Sequence, residues 1–148
     1  KKSVRYKLVP QELEIRDKKV MIMDDSIVRG NTSKEIVKML RDFGAREVYF
    51  ASACPPVLSP CFYGVDMPTK EELIAGRMTK NEIQEYLEVD ALLYQDINDL
   101  VEAVTRRGDH YIDKPCMACL DGNYIANDID LNTIDKIGQM RTSHRNGN

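Results

Sequence analysis

Val20-Met21-Ile22-Met23-Asp24-Asp25-Ser26-Ile27-Val28-Arg29-Gly30-Asn31-Thr32-Ser33 is the stretch from which the rest of this chain can be read. The run Lys18 to Met23 is short and apolar and follows the charged pair Arg16-Asp17. It predicts a buried strand ending at Asp24-Asp25. Residues 26–32 are mostly small or polar around Gly30, so they predict a loop. From Ser33 to Phe43, Ile36, Val37, Leu40 and Phe43 share one helical face, with Thr32 or Ser33 as N-cap and Gly44 just past the end. Glu47 to Ala53 reads as a second strand. Strand, tight loop, helix and strand in this order form a βαβ unit, hence a right-handed crossover in a parallel sheet.

Outward from that unit the pattern continues. Pro55-Pro56 and Pro60 stop the second strand and extend the chain. Pro68-Thr69 leads into a short helix, Lys70 to Ala75. Thr79-Lys80-Asn81-Glu82 has capping-box spacing and opens a helix through Leu87. Ala91 to Tyr94 is a third strand. Asp96-Ile97-Asn98-Asp99 starts a helix through about Val104, closed by Gly108. The alternation predicts an α/β fold, a parallel sheet with flanking helices. We divide the chain into 1–108, the sheet-bearing part; 109–131, an irregular segment with Cys116-Met117-Ala118-Cys119 in a loop; and 132–148, a weakly helical then disordered tail.

Composition narrows the function. The chain has 148 residues, 43% hydrophobic and 30% charged, with a net charge of -3. That suits a globular domain and excludes collagen-like or wholly disordered chains. The acidic balance argues against nucleic acid as partner. No apolar run approaches the ~20 residues that span a bilayer, so neither a membrane nor a secreted setting is expected, and the location is taken as cytoplasmic. Four cysteines, Cys54, Cys61, Cys116 and Cys119, without a secretory signal favour thiol, metal or cluster chemistry over a disulfide framework. The opening Lys1-Lys2-Ser3 reads as the interior of a longer polypeptide.

Chemistry concentrates at the first strand's carboxyl end, where open α/β sheets bind ligands. Asp24 and Asp25 could hold sugar hydroxyls. The loop and helix start behind them, with Ser26, Thr32 and Ser33, suit a phosphate. Together they describe a phosphorylated ribose. An ordinary βα turn with an N-cap is the equal alternative on these grounds. A Walker-type site is disfavoured because Gly-x-x-x-x-Gly-Lys is missing, and a dinucleotide fingerprint because Gly30 is the loop's only glycine. Cys116-x-x-Cys119 is compatible with zinc, redox or iron–sulfur roles.

The run Asp24 to Ser33 closely resembles the phosphoribosyl pyrophosphate (PRPP) motif of type I phosphoribosyltransferases. The wider context resembles the amidophosphoribosyltransferase family. The matching segments are Ser3 to Leu8, Val48 to Pro56, Pro60-Cys61-Phe62-Tyr63-Gly64-Val65-Asp66-Met67-Pro68-Thr69 and Glu71 to Ala75. The resemblance implies a type I phosphoribosyltransferase-like sheet, present as the C-terminal part of that domain. It implies transfer of ammonia, released from glutamine by a separate glutaminase domain, to C1 of PRPP, giving 5-phosphoribosylamine and pyrophosphate for purine synthesis. Asp24 and Asp25 would hold the ribose hydroxyls with Mg²⁺ and support an oxocarbenium-like C1. Ser26, Arg29, Gly30, Asn31, Thr32 and Ser33 would hold the 5-phosphate. Arg5 and Lys7 lie where the family has a basic segment near the pyrophosphate, or are solvated surface charges. Cys61, Cys116 and Cys119 match three ligands of the [4Fe–4S] cluster that some members carry, the fourth coming from outside this chain. The family also implies purine-nucleotide inhibitors and a homotetramer.

Other candidates weigh less. Cys54 is expected to be a buried bystander at a strand end. His110 and His144 stand apart from the motif. Tyr63, Asp66 and Tyr94 read as packing or loop residues, and Asp96 and Asp99 as helix-start residues. Glu88-Val89-Asp90 stands where the family usually has Gly-Ala-Asp, which should alter one helix end. If part of the domain lies outside the chain, exposed sheet edge and apolar surface should remain. The competing functions are a stand-alone phosphoribosyltransferase, a non-catalytic PRPP-sensing module and a structural or metal-binding domain.

Overall fold

A computed structural model describes residues 11–64, 69–106, 112, 114–125, 136 and 140. The order is α1 (Glu12–Ile15), β1 (Lys19–Asp24), α2 (Asn31–Asp42), β2 (Glu47–Ser52), 3₁₀ turns Lys70–Glu72 and Ile74–Gly76, α3 (Lys80–Leu87), β3 (Ala91–Tyr94), α4 (Ile97–Thr105) and α5 (Ala118–Asp121). The three strands form one parallel sheet in the order β1-β2-β3. The α/β reading and its parallel sheet therefore hold. The tail proposed for 132–148 lies outside the described residues except for Lys136 and Met140.

Alternation along the strands decides which face is covered. Val48, Phe50 and Leu92 point to one face, where they meet Val37 and Leu40 of α2 and Ile83 and Leu87 of α3. Two right-handed crossovers running in the same direction put both helices on that side. On the opposite face Met21, Met23 and Leu93 are 57%, 78% and 45% exposed. Parallel sheets are ordinarily covered on both faces, so the expected apolar surface is there.

Several boundaries differ from the sequence reading. The helix after the loop starts at Asn31, and its N-cap is Gly30, not Thr32 or Ser33. Gly30 has φ +77°, a left-handed conformation that glycine adopts at little cost. The helix expected over Lys70 to Ala75 is instead two 3₁₀ turns broken at extended Leu73. Leu73 and Ile74 are both fully buried, and they enter different apolar clusters on either side of this break. Ala118–Asp121 forms a helical turn where a loop was expected, ended by left-handed Gly122.

Other local readings match. Thr79 and Glu82 form the expected capping box on α3. Asp96 caps α4 by accepting from the Asn98 and Asp99 N–H groups at 2.8 and 3.3 Å. Gly44 has φ +84° just past α2.

Glu88 ends α3 at φ 61°, ψ 38°. A left-handed L-residue costs roughly 1–2 kcal/mol, partly offset by the extra chain entropy of glycine, about 0.5–1 kcal/mol. Glu88→Gly should therefore stabilise the fold by about 0.5–1 kcal/mol in urea unfolding, despite losing the 3.5 Å exposed pair with Lys34. A lower unfolding midpoint would contradict this account of the helix end.

Candidate functional site

Asp24, Ser52 and Tyr94 are register partners at the carboxyl ends of the three strands. Asp24 is half-buried and Asp25 exposed. The Asp25 backbone N–H donates to Asp24 Oδ1 at 3.0 Å, and the Ser26 hydroxyl donates to Asp25 Oδ1 at 3.0 Å. The two carboxylates are thus ordered by their own loop. The Asp24 carbonyl accepts from Ala53 N–H at 2.9 Å, which joins this edge to β2.

The loop is fastened from below by its apolar residues. Ile27 is 1% exposed in the main core. Val28 packs into the second cluster, and its carbonyl accepts the Ile74 N–H at 2.9 Å. Gly30 lies against Ile74, Tyr86 and Leu87. Ser26 and Arg29 are half-buried, and Asn31 and Thr32 are exposed. Ser33 is buried at 3% exposure, so only Asn31 and Thr32 of the helix-start residues face solvent. No side chain caps α2. Its first N–H groups are therefore left for water or an anion. The Tyr86 hydroxyl donates to Asn31 Oδ1 at 3.3 Å, and Lys34 Nζ stands 4.2 Å from the Tyr86 ring centre.

Arg29 reaches across to a distant segment. Its Nε donates to Glu72 Oε1 at 3.1 Å. Glu72 Oε2 accepts from the Thr69 N–H and hydroxyl at 3.1 and 3.3 Å. Glu72 was not among the residues singled out from the sequence. Thr69-x-x-Glu72 is itself a capping-box spacing, so its local role was legible, but the bond to Arg29 was not.

The cysteine-bearing segments come together beside this loop. The Cys119 carbonyl accepts the Leu58 and Ser59 N–H groups at 2.9 and 3.0 Å. The Tyr124 hydroxyl donates to the Pro60 carbonyl at 2.8 Å, and the rings of Phe62 and Tyr63 lie 5.2 and 6.2 Å from that of Tyr124. These bonds seat the segment that carries Cys61 against the segment that carries Cys119; burial pushes the Cys119 thiol up, and the Cys61 and Cys116 thiols add to the rise. Cys54 is half-buried just beyond β2 and shares the second cluster with Cys119, Val57, Leu73 and Leu120. Burial, then Cys119, pushes its thiol up. No disulfide joins the four cysteines, and among the described residues no three His, Cys, Asp or Glu side chains already stand in metal-binding arrangement. The Tyr94 hydroxyl is buried without a hydrogen-bond partner among the described residues, and burial pushes its pKa up to about 12. Arg5, Lys7, Asp66, His110 and His144 lie outside the described residues.

A parallel sheet with paired acids at its carboxyl edge, followed by a loop and an open helix N-terminus, defines an α/β fold of the type I phosphoribosyltransferase class. Its sequence is 46% identical to the amidophosphoribosyltransferase of Pseudomonas aeruginosa over 141 residues, and 42% identical to that of Escherichia coli over 141 residues. Each match covers 95% of this chain and 28% of the relative. A solved Bacillus subtilis glutamine PRPP amidotransferase, complexed with ADP and GMP, superposes with a TM-score of 0.70 at 36% identity, over 90% of this chain and 31% of that one. No protein-family model matches the chain. Over the stretch it spans, the chain belongs to the amidophosphoribosyltransferase family, and that stretch is 28% of the length of its Pseudomonas relative.

Proposed function

We propose that this chain is the PRPP-binding part of an amidophosphoribosyltransferase. In this reading it presents C1 of PRPP to ammonia, giving 5-phosphoribosylamine and pyrophosphate, with glutamine as the ammonia source through a glutaminase domain outside the chain. The observation that carries this is the placement of Asp24-Asp25 at the carboxyl edge directly before the uncapped N-terminus of α2. Asp24 and Asp25 accept the ribose hydroxyls and, by their charge, favour an oxocarbenium-like C1 as the pyrophosphate departs. Ser26, Arg29, the N–H groups following Gly30, Asn31 and Thr32 hold the 5-phosphate; Ser33 contributes through its backbone. Little covalent chemistry is asked of the chain, and catalysis is positioning plus electrostatics.

The hard oxygen donors of Asp24 and Asp25 fit Mg²⁺, which when bound would neutralise the leaving pyrophosphate. The thiols of Cys61, Cys116 and Cys119 are soft donors, the kind that a thiolate-ligated group takes. Cys61, Cys116 and Cys119 are the proposed ligands of a [4Fe–4S] cluster, with the fourth ligand outside the chain, and zinc is the alternative occupant. Anaerobic reconstitution with iron and sulfide should give cluster absorbance that is lost in Cys61→Ser, Cys116→Ser or Cys119→Ser and kept in Cys54→Ser. Equal loading of all four variants would contradict that assignment. No described helix is long and apolar enough to cross a membrane. A cytoplasmic setting, a homotetramer and inhibition by purine nucleotides complete the reading, the last supported by the ADP and GMP of the Bacillus relative.

The test is calorimetric titration with PRPP and Mg²⁺, followed by pyrophosphate release with ammonia as nucleophile. Saturable binding and ammonia-dependent release are expected. A folded chain that binds no PRPP would remove the reading.

A further inference from the structure

Arg29 and Glu72 are 43 positions apart, and both side chains are over a third exposed. An ion pair this exposed contributes little to stability, so its value must lie in geometry. The contact uses Arg29 Nε alone. Guanidinium is a rigid planar fork, so fixing Nε also fixes the directions of the two terminal nitrogens. Among the described residues no acceptor bonds those nitrogens, and terminal guanidinium nitrogens pair well with phosphate oxygens. Glu72 is itself held in place: its second oxygen closes the capping box with Thr69, and the neighbouring Ile74 N–H is bonded to the Val28 carbonyl, one residue before Arg29. The carboxylate that orients Arg29 is thus mounted on the segment that also fastens the loop.

We infer that Glu72 is a positioning residue of the phosphate loop, holding Arg29 by Nε so that its terminal nitrogens meet a phosphate of the ligand. This rests on the PRPP-binding reading and deepens it, because Glu72 acts through Arg29 and never touches the ligand. Its removal should therefore cost affinity only while Arg29 is present.

The experiment is a double-mutant cycle on PRPP affinity in the presence of Mg²⁺, measured with the full chain. Glutamine can still close a capping box, so Glu72→Gln removes the charge and keeps the turn. Glu72→Gln should weaken PRPP binding roughly 5- to 10-fold and Arg29→Gln roughly 10- to 30-fold, and the double variant should bind no more weakly than Arg29→Gln alone, as expected for coupled residues. Thr69→Val, which loosens the box and leaves the pair, should stay within about 2-fold of the parent, so that a general loosening of the turn is told apart from loss of orientation. Thermal melts accompany each variant. Should Glu72→Gln fold poorly, Glu72→Asp, which keeps the charge one methylene short, should show an intermediate loss. PRPP binding unchanged by Glu72→Gln, or additive losses in the double variant, would overturn the inference and leave the PRPP-binding reading standing. A folded parent chain that binds no PRPP would overturn both.

Discussion

Replacing both Asp24 and Asp25 by asparagine should abolish measurable PRPP binding while leaving the fold intact. Asparagine keeps the size of each side chain, and its carbonyl can still accept the 3.0 Å bonds now made by Asp25 N–H and the Ser26 hydroxyl. What disappears is negative charge at the proposed ribose site. Hydrogen bonds to charged groups contribute roughly 1.5–3 kcal/mol each, so loss of two should weaken binding by about 100-fold or more. Titration with PRPP and Mg²⁺ reads the affinity, and thermal melting checks that the melting temperature is kept. Near-parental affinity in the folded double variant would mean that the acid pair is only the end of a strand.

Gly30→Val should be the most damaging single change in the loop. A Cβ at Gly30 would lie 2.7 Å from Ile74 Cδ1 and 3.3 Å from Tyr86 Cε1. Its φ of +77° adds backbone strain for any other residue. The backbone costs roughly 1–2 kcal/mol and overpacking typically 1–3 kcal/mol, so urea unfolding should show a loss of about 2–5 kcal/mol. That is a large share of the 5–15 kcal/mol of a typical domain. PRPP affinity should fall as well, because relief of the clash moves the N-terminus of α2. A Gly30→Val chain as stable as the parent would show that the loop is not seated on Ile74 and Tyr86.

The two changes probe opposite sides of one loop. The alternation of anchored and outward residues, Ile27, Val28 and Gly30 against Asp25, Ser26, Asn31 and Thr32, lets a flexible-looking glycine loop be rigid. Affinity for a phosphate gains when the donors are already in place. The loop's seat belongs to both apolar clusters, since Ile27 enters one and Val28 the other. Through Val28 it also shares a cluster with Cys54, Met117 and Cys119, so a group bound at the cysteines would lie against the same packing that supports this loop.

Legible from neighbouring residues alone were the βαβ unit, the third strand, the Thr79 capping box and the helix start at Asp96. So was the acid pair's place at a strand's carboxyl end. Each of these depends on residues a few positions apart: apolar spacing along one face, a hydroxyl three residues before an acid, a glycine at a helix end. Packing between distant segments, by contrast, sets the inward turn of Ser33, the parting of Leu73 and Ile74 into two clusters, the hold of Glu72 on Arg29 and the meeting of Cys54 and Cys119 in one cluster. These depend on how separate segments pack. Glycine at 30 lets the helix start early and turns Ser33 into the core. The covered face of the sheet draws in Ile74, while the segment carrying Leu120 draws in Leu73. No spacing in the sequence encodes a bond between residues 43 positions apart, because such a bond exists only after both segments are seated on the core.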